Sequence, residues 1–463
     1  MEPSTLEKLV LPEIKELLQT KNLTTLHEVL RRWIAADVGA LVSDLEPDDR
    51  TWVFRSLEGP AASQVFAYVQ RAVQEELIES LPSPELAKIL NGMAPDDRTA
   101  LLAQLPKERT ERLLSLLTPE ERKVAESLLA YPEDSVGRLM TPDYIAVKEH
   151  WSLEYVLDHV RTYGKDSETL NAVYVTDERG HLIDDIRMRE ILLAPLHVRV
   201  RELMDRKSVS LDVDLSQHEA VELFRRYDRT TLPVVNADGI LVGIVTVDDM
   251  LDVAEEEATR EIQRLGAVEA LEDPYIATPL FRMLRKRAAW LVVLFLGELL
   301  TATAMGFFEG EIERAVVLAL FVPLIISSGG NSGSQAATLL VRALALGEVR
   351  PGEWGRVFVR ELVSGAFLGM ILGAIGFARI AAWSAFSDIY GPQWALVGLT
   401  VGVALVGVVL WGTITGSMLP FILKYLGFDP ASSSAPLVAT LVDVTGLIIY
   451  FTVATMFLSG TLL

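Results

Sequence analysis

Asp443 stands inside the apolar run LVATLVDVTGLIIYF. It follows Pro436 by seven residues, about 10 Å into a helix that starts at that proline. An ionisable group at that depth is costly, and it marks either a water-filled path or a hydrogen bond to a neighbouring helix. Glu298 poses the same choice in the middle of another apolar run, with only the hydroxyls of Thr301 and Thr303 nearby. Both groups are acids, which points to a cation. Three small, polar segments accompany them: SSGGNSGSQ at 327–335, GSMLP at 416–420 and SSSAP at 432–436. Backbone of that composition is expected to break the helices that carry it, and lipid tolerates a break only in packed protein or beside a wet cavity. One such segment alone also fits close helix packing through small residues. Three at similar depth favour a pore or substrate site.

Five apolar runs position these residues: 288–308, 315–346, 361–383, 394–423 and 436–463. The first is long enough, at about 31 Å, to cross a bilayer core. Arg282, Arg285, Lys286 and Arg287 precede it, Arg342, Arg350, Arg356 and Arg360 flank the second connection, and Lys424 follows the fourth run. The opposite face holds only Arg314 and Arg379, so the N-terminal half is expected in the cytoplasm of a bacterial-type inner membrane and the C-terminus outside. Charge is divided unevenly. Of the net −21 over 463 residues, residues 1–285 carry 33 Lys/Arg and 53 Asp/Glu, a net −20. That division excludes a single globular enzyme domain, and its sign argues against nucleic acid as a partner. The absence of cysteine removes disulfides and thiolate metal sites. Residues 1–20 read as an acidic amphipathic stretch, not a signal peptide.

The acidic half contains two kinds of repeat. From 139 to 255, LMTP (139–142) recurs as LMDR (203–206), each followed by a valine-rich strand, an amphipathic helix (152–162; 216–227) and a strand pair around an Asp/Gly turn. These residues resemble a tandem pair of CBS modules, which commonly sense adenine nucleotides. The second copy ends in GIVTVDD (243–249); the first has Asp184-Asp185 where the pattern prefers glycine and a small apolar residue, and Glu190 where an aspartate usually meets ribose. Ahead of the pair, LEPDDR (45–50) recurs as MAPDDR (93–98), with looser copies LPKER (105–109) and LTPEER (117–122). Proline and carboxylates in a first turn mark helix starts, so 5–130 reads as a stacked helical array. The stretch 248–273 reads as one acidic helix leading to the membrane. Enzyme chemistry finds no support. A Gly-x-Ser-Gly protease reading at Gly330–Gly333 needs a histidine in the membrane, but His27, His150, His159, His181, His197 and His218 all precede it, and neither HExxH nor GxxxxGK[ST] occurs.

Taken whole, the chain resembles the MgtE family of magnesium channels and transporters. The specific matches are GGNSGSQ (329–335) followed by TLLVRALALGE, and PLVATLVDVTGL (436–447). The resemblance implies a multidomain membrane protein: an acidic α-helical array (1–132), an α/β tandem CBS pair (133–255), a connecting helix (256–285) and a five-helix transmembrane bundle (286–463). It implies a homodimer in the lipid bilayer with the pore on its twofold axis. Asp443 then binds the ion, with Asn331, Gly330, Ser434 and Ala435 beside it. It further implies regulatory Mg²⁺ at Asp97, Asp228, Asp249, Asp252, Glu257 and Glu261, and ATP at the CBS pair through Glu190 and Asp249. Arg260 and His218 stand where the family often has acids. Physical chemistry agrees: Mg²⁺ keeps most of its waters and suits a site of one or two carboxylates. A divalent ion gains about 4.6 kcal/mol per 100 mV on moving inward. An acidic domain that repels itself when Mg²⁺ is scarce relaxes when Mg²⁺ bridges it, so bound Mg²⁺ is expected to close the pore. The alternative is a CBS-gated transporter of Mn²⁺, Co²⁺ or a small solute.

Overall fold

The computed structural model describes residues 5–271, 275–276, 278–432 and 434–462, with side chains from residue 12 onward. Two compact units divide the chain, Met1–Glu256 and Glu257–Leu463.

The first unit begins with ten helices: α1 (Thr5–Gln19), α2 (Leu23–Leu30), α3 (Ala35–Asp44), α4 (Pro47–Ser56), α5 (Gly59–Tyr68), α6 (Arg71–Ser80), α7 (Ser83–Gly92), α8 (Pro95–Ala103), α9 (Lys107–Leu114) and α10 (Pro119–Leu129). From α2 to α10 each helix starts 12 residues after the last. The period is finer than the Pro-Asp-Asp-Arg copies reveal, and it has a packing cause. Leu30, Val42, Phe54, Phe66, Ile78, Leu90, Leu102 and Leu114 stand 12 apart, one near the end of each of α2–α9, and all are buried. Burying a helix end strands its last carbonyls. Four of these carbonyls are satisfied by a side chain eight residues on: Arg50 donates to Val42 O (3.2 Å), Gln74 to Phe66 O (2.8 Å), Arg98 to Leu90 O (3.1 Å) and Thr110 to Leu102 O (3.1 Å).

Two similar α/β modules follow the short helix α11 (Val136–Leu139). The first comprises β1 (Ala146–Val147), α12 (Leu153–Tyr163), β2 (Ala172–Thr176), β3 (Leu182–Arg187) and α13 (Met188–Leu193). After α14 (Val200–Leu203), the second comprises β4 (Leu211–Asp212), α15 (Gln217–Tyr227), β5 (Thr231–Val235), β6 (Leu241–Thr246) and α16 (Val247–Leu265). In both, a parallel pair is joined to an antiparallel hairpin, with Tyr174 opposite Asp185 and Pro233 opposite Ile244. The two hairpin turns bond to each other reciprocally, Leu182 N to Gly239 O (3.1 Å) and Leu241 N to Gly180 O (3.0 Å). The second copy is shorter because Asp228 caps α15 in the left-handed region (φ 49°), turning the chain at once into β5.

Where the second module places Gly243 against the backbone of Thr141, the first places Asp184. Asp184 is buried and accepts from Arg206 N (2.9 Å), a donor that its counterpart Pro142 lacks. Asp185 pairs with Arg229 of the other module at 2.9 Å. The departure from glycine is thus compensated by a polar joint between modules.

Two expectations about helices need correction. The acidic connecting helix does not run to 273; α16 ends at Leu265, where Gly266 and left-handed Ala267 (φ 56°) turn the chain and Val268 N returns to Gln263 O. The basic stretch before the membrane is instead part of the first spanning helix, α17 (Leu280–Phe307). Then come α18 (Glu309–Arg314), α19 (Val316–Ala319), α20 (Val322–Ala345), α21 (Trp354–Ser384), α22 (Trp394–Tyr425) and α23 (Ala435–Leu458). Five segments among the described residues are long and apolar enough to cross a membrane, the second comprising α19 and α20 together.

Candidate ion pathway and regulatory carboxylates

The polar segment 327–335 is regular helix within α20, and Gly416–Pro420 lies unbroken inside α22. The expected breaks at both places are therefore corrected. Small residues serve close approach here: a Cβ on Gly412 would come 2.3 Å from Gly329 O, and one on Gly416 would come 2.0 Å from Gly333 O. Two Gly-x-x-x-Gly faces meet backbone to backbone. Ser332 bonds Thr413 at 2.7 Å in the same buried seam, and Thr413 in turn donates to Val409 O.

With its glycines turned to α22, α20 presents Ser327, Asn331 and Gln335, spaced one turn apart, on the opposite, exposed face. Asn331 Nδ2 donates to Ser327 Oγ at 3.4 Å. Between the two faces Gly330 packs against α23: a Cβ there would stand 3.5 Å from Ala439 Cβ and 3.8 Å from Asp443 Oδ1. Asp443 is half-buried beside it. Two turns nearer the start of α23, Ser434 is fully buried and caps the helix by accepting from Leu437 N (3.4 Å). The Ala435 carbonyl accepts from Ser334 Oγ at 3.1 Å. Gly330 thus sits beside Asp443, with Asn331 next to it in α20, while Ser434 and Ala435 lie at the mouth of the same α20–α23 pair. Ser433 of the opening segment lies outside the described residues.

Glu298 is exposed on α17, with no hydrogen-bond or ion-pair partner among the described residues. Its neighbour Gly297 meets α23 at Thr440, 2.6 Å from a built Cβ to Thr440 Cγ2. At the centre of a spanning helix, a lipid-facing acid costs about 3 kcal/mol on insertion scales.

In the first unit, a set of carboxylates gathers around the start of α8. Asp96 and Asp97 come from α8, Asp248, Asp249 and Asp252 from α16, and Glu168 from the loop after α12. Burial, then mutual repulsion, raises the proton affinity of Asp96, Asp97, Glu168 and Asp252. Asp249 is pushed up to about 7, chiefly by burial and against a hydrogen bond from the Thr246 hydroxyl (2.8 Å). Asp96 is 8% exposed, and its Oδ1 is buried without a hydrogen-bond partner. Asp96, Glu168 and Asp248 were not singled out from sequence. The signal available for Asp96 was the Pro-Asp-Asp-Arg motif itself, but only the fold brings Glu168 there.

The three remaining candidate residues lie on α16 or at the end of α15. Asp228 is the exposed left-handed cap of α15. Glu257 stands one turn before Glu261 on α16, and Glu261 faces Arg342 at the end of α20 (3.7 Å). Arg264, on the last turn of α16, is ion-paired with Asp429 in the connection before α23. Among the described residues of this single chain, no three Asp, Glu or His side chains converge as a metal-holding group. For ATP, the two candidate contacts differ. Asp249 accepts from the Thr246 hydroxyl and has Asp97 and Asp248 near it. Glu190 lies exposed on α13, paired with Arg187 (3.8 Å).

Comparison with known proteins agrees with this architecture. A magnesium transporter MgtE of Thermus thermophilus is 38% identical over 457 residues, spanning 98% of this chain and 99% of that protein. The chain belongs to the MgtE family. Residues 322–453 match the family model described as a divalent cation transporter, 34–134 match the MgtE intracellular N domain, and 136–197 and 200–256 match CBS domains. A magnesium transporter MgtE of Bacillus subtilis is 28% identical over 93% of this chain and 96% of its own. Among solved structures, the cytosolic domain of the Mg²⁺ channel MgtE in complex with ATP is 38% identical with a TM-score of 0.50. It covers 52% of this chain and 98% of its own.

Proposed function

We propose that this MgtE-family chain carries Mg²⁺ into the cytoplasm down its electrochemical gradient. In this reading it works as a homodimer in the plasma membrane, with the N-terminal unit cytoplasmic and the C-terminus outside. The observation that carries the reading is the polar stripe Ser327, Asn331 and Gln335, exposed on a spanning helix beside Asp443. In lipid such a stripe is unfavourable; against a second copy it lines a wet path. Asp443 from each protomer supplies charge to a largely hydrated Mg²⁺, with the Asn331 amide as an uncharged partner and the Ala435 carbonyl farther out at the mouth of the path.

Regulation follows from the acidic cluster. Asp97, Asp249 and Asp252 repel one another when unliganded, and Mg²⁺ bridging them favours the docked, closed arrangement. Glu257, Glu261 and Asp228 complete the regulatory set by family resemblance. The end of α16 is positioned to pass this on, since Glu261–Arg342 ties it to the helix of Asn331 and Arg264–Asp429 to the connection before the helix of Asp443. ATP, at the Glu190 side of the CBS pair, would add negative charge to that pair.

The test is Mg²⁺ uptake by the full chain in liposomes and growth rescue of a magnesium-transport-deficient bacterium, with Mn²⁺ and Co²⁺ flux in parallel. Wild type should transport and rescue, and Asp443→Ala should do neither. Rescue by Asp443→Ala equal to wild type removes Asp443 from the pathway.

A further inference from the structure

Glu298 is the second carboxylate of the membrane layer. The packing of α17 on α23 fixes its depth. The face of α17 that meets the bundle runs through Leu294, Gly297 and Thr301, and Gly297 touches Thr440, one turn before Asp443. Glu298 follows Gly297, so it stands at the edge of that seam within about a turn of the level of the pore acid. A second group on the seam is also unsatisfied: the Thr301 hydroxyl, one turn on, is buried with no hydrogen-bond partner among the described residues. An exposed acid and an unpaired hydroxyl on one side of the same helix call for water or a hydrated ion, because hydrocarbon satisfies neither.

We propose that Glu298 is a selectivity residue that adds a second fixed negative charge per protomer to the ion pathway and thereby favours divalent over monovalent cations. The inference rests on the reading of Asp443 as the pore acid. Its physical content is the dependence of Coulomb energy on ion charge: a fixed charge acts twice as strongly on Mg²⁺ as on Na⁺ at the same place. Removing it should therefore weaken Mg²⁺ by about the square of the factor by which it weakens Na⁺. Glu298 acts through the field at Asp443 and need not touch the ion.

The experiment compares wild type, Glu298→Gln, Glu298→Asp and Asp443→Asn as full chains in liposomes. It measures KM and maximal rate for Mg²⁺ uptake and the Na⁺ concentration that halves it. For Glu298→Gln the expected result is a rise in Mg²⁺ KM of roughly tenfold, a roughly threefold weaker Na⁺ block after correction for that KM, and a maximal rate within twofold of wild type. Glu298→Asp, which keeps the charge, should stay within about twofold of wild type throughout. An unchanged Mg²⁺ KM in Glu298→Gln overturns the proposal, as does an equal shift for both ions. A KM defect in Glu298→Asp as large as in Glu298→Gln also overturns it, because that marks a packing role. These outcomes are distinct from failure of the pore reading, in which wild type takes up no Mg²⁺ or Asp443→Asn transports like wild type; either of those overturns both.

Discussion

The tetrapeptide Pro-Asp-Asp-Arg opens two helices 48 residues apart, α4 at 47–50 and α8 at 95–98, and the two copies have different fates. Their arginines do the same local work. Arg50 and Arg98 each reach back to the carbonyl eight residues earlier and forward to a glutamate, Glu76 or Glu121. Their carboxylates do not. Asp48 lies in solvent at a helix N-terminus, whereas Asp96 is buried and faces Asp249 and Glu168. A motif thus fixes what its residues do along their own helix, and the neighbouring domain decides what is left over. The leftover in α8 is uncompensated negative charge, which is what a regulatory cation requires.

The largest expected contrast concerns the arginines. Arg98 is wholly buried, whereas Arg50 keeps 14% of its side chain exposed. Arg98→Ala strands the Leu90 and Met93 carbonyls and unpairs Glu121, and should cost about 3 kcal/mol. Arg50→Ala should cost about 1–2 kcal/mol. Amide hydrogen exchange on the full chain, read over α7–α10 and α3–α6 respectively, measures both. Equal losses would erase the distinction between the copies.

Next in size is the response to Mg²⁺. Asp97→Asn should raise the Mg²⁺ concentration that closes the channel roughly tenfold, in the range of ordinary coupling energies. Asp49→Asn, at the same place in the other copy, should leave it within about twofold. Flux from liposomes at graded internal Mg²⁺ gives both values. An Asp49→Asn shift as large as that of Asp97→Asn would mean that the effect belongs to general acidity rather than to the cluster.

Proton linkage sharpens the same contrast. Burial raises the folded-state pKa of Asp96, Asp97 and Asp249, the last to about 7, above the unfolded value of 3.8. The folded cluster therefore holds more protons than the unfolded chain between those values, and stability of the metal-free protein falls as pH rises through that window. Below about pH 4 both states are protonated and the penalty vanishes; above about 7 it is complete. Protection of α8 and of the first turns of α16 should accordingly be higher at pH 5.5 than at pH 8 without Mg²⁺, with the difference shrinking when Mg²⁺ is added.

Much of this architecture could be read from the chain. The five spans, the paired modules and the helix starts follow from hydropathy, repeated turns and proline placement. The twelve-residue period did not, because its apolar member changes among Leu, Val, Phe and Ile, and its polar member is Arg, Gln or Thr according to which donor reaches the preceding carbonyl. The glycines of α20 were legible as special but were read as breaks. In isolation Ser-Ser-Gly-Gly-Asn is a poor helix former, and only the facing Gly412 and Gly416 turn that weakness into close packing. Asp443 and Asn331 announced themselves by polarity at depth. Glu168 could not, since an acid in a loop is ordinary until the fold sets it beside Asp96 and Asp97.

The smallest prediction is the one whose sign matters most. Asp48 sits in the first turn of α4, where the helix dipole favours a negative charge, so Asp48→Asn should destabilise α4 by about 0.5 kcal/mol. Asp96 occupies the matching turn of α8 and enjoys the same dipole, but its charge is buried among other carboxylates. Repulsion and burial outweigh the dipole there, so Asp96→Asn should raise the protection of α8 in metal-free protein. The same change should blunt the further gain on adding Mg²⁺, since the cation then has one less charge to neutralise. Opposite signs for one substitution at equivalent places in two copies are hard to obtain from local sequence. If both substitutions destabilise, the α8 carboxylates are helix caps like those of α4, and the regulatory cluster must lie elsewhere.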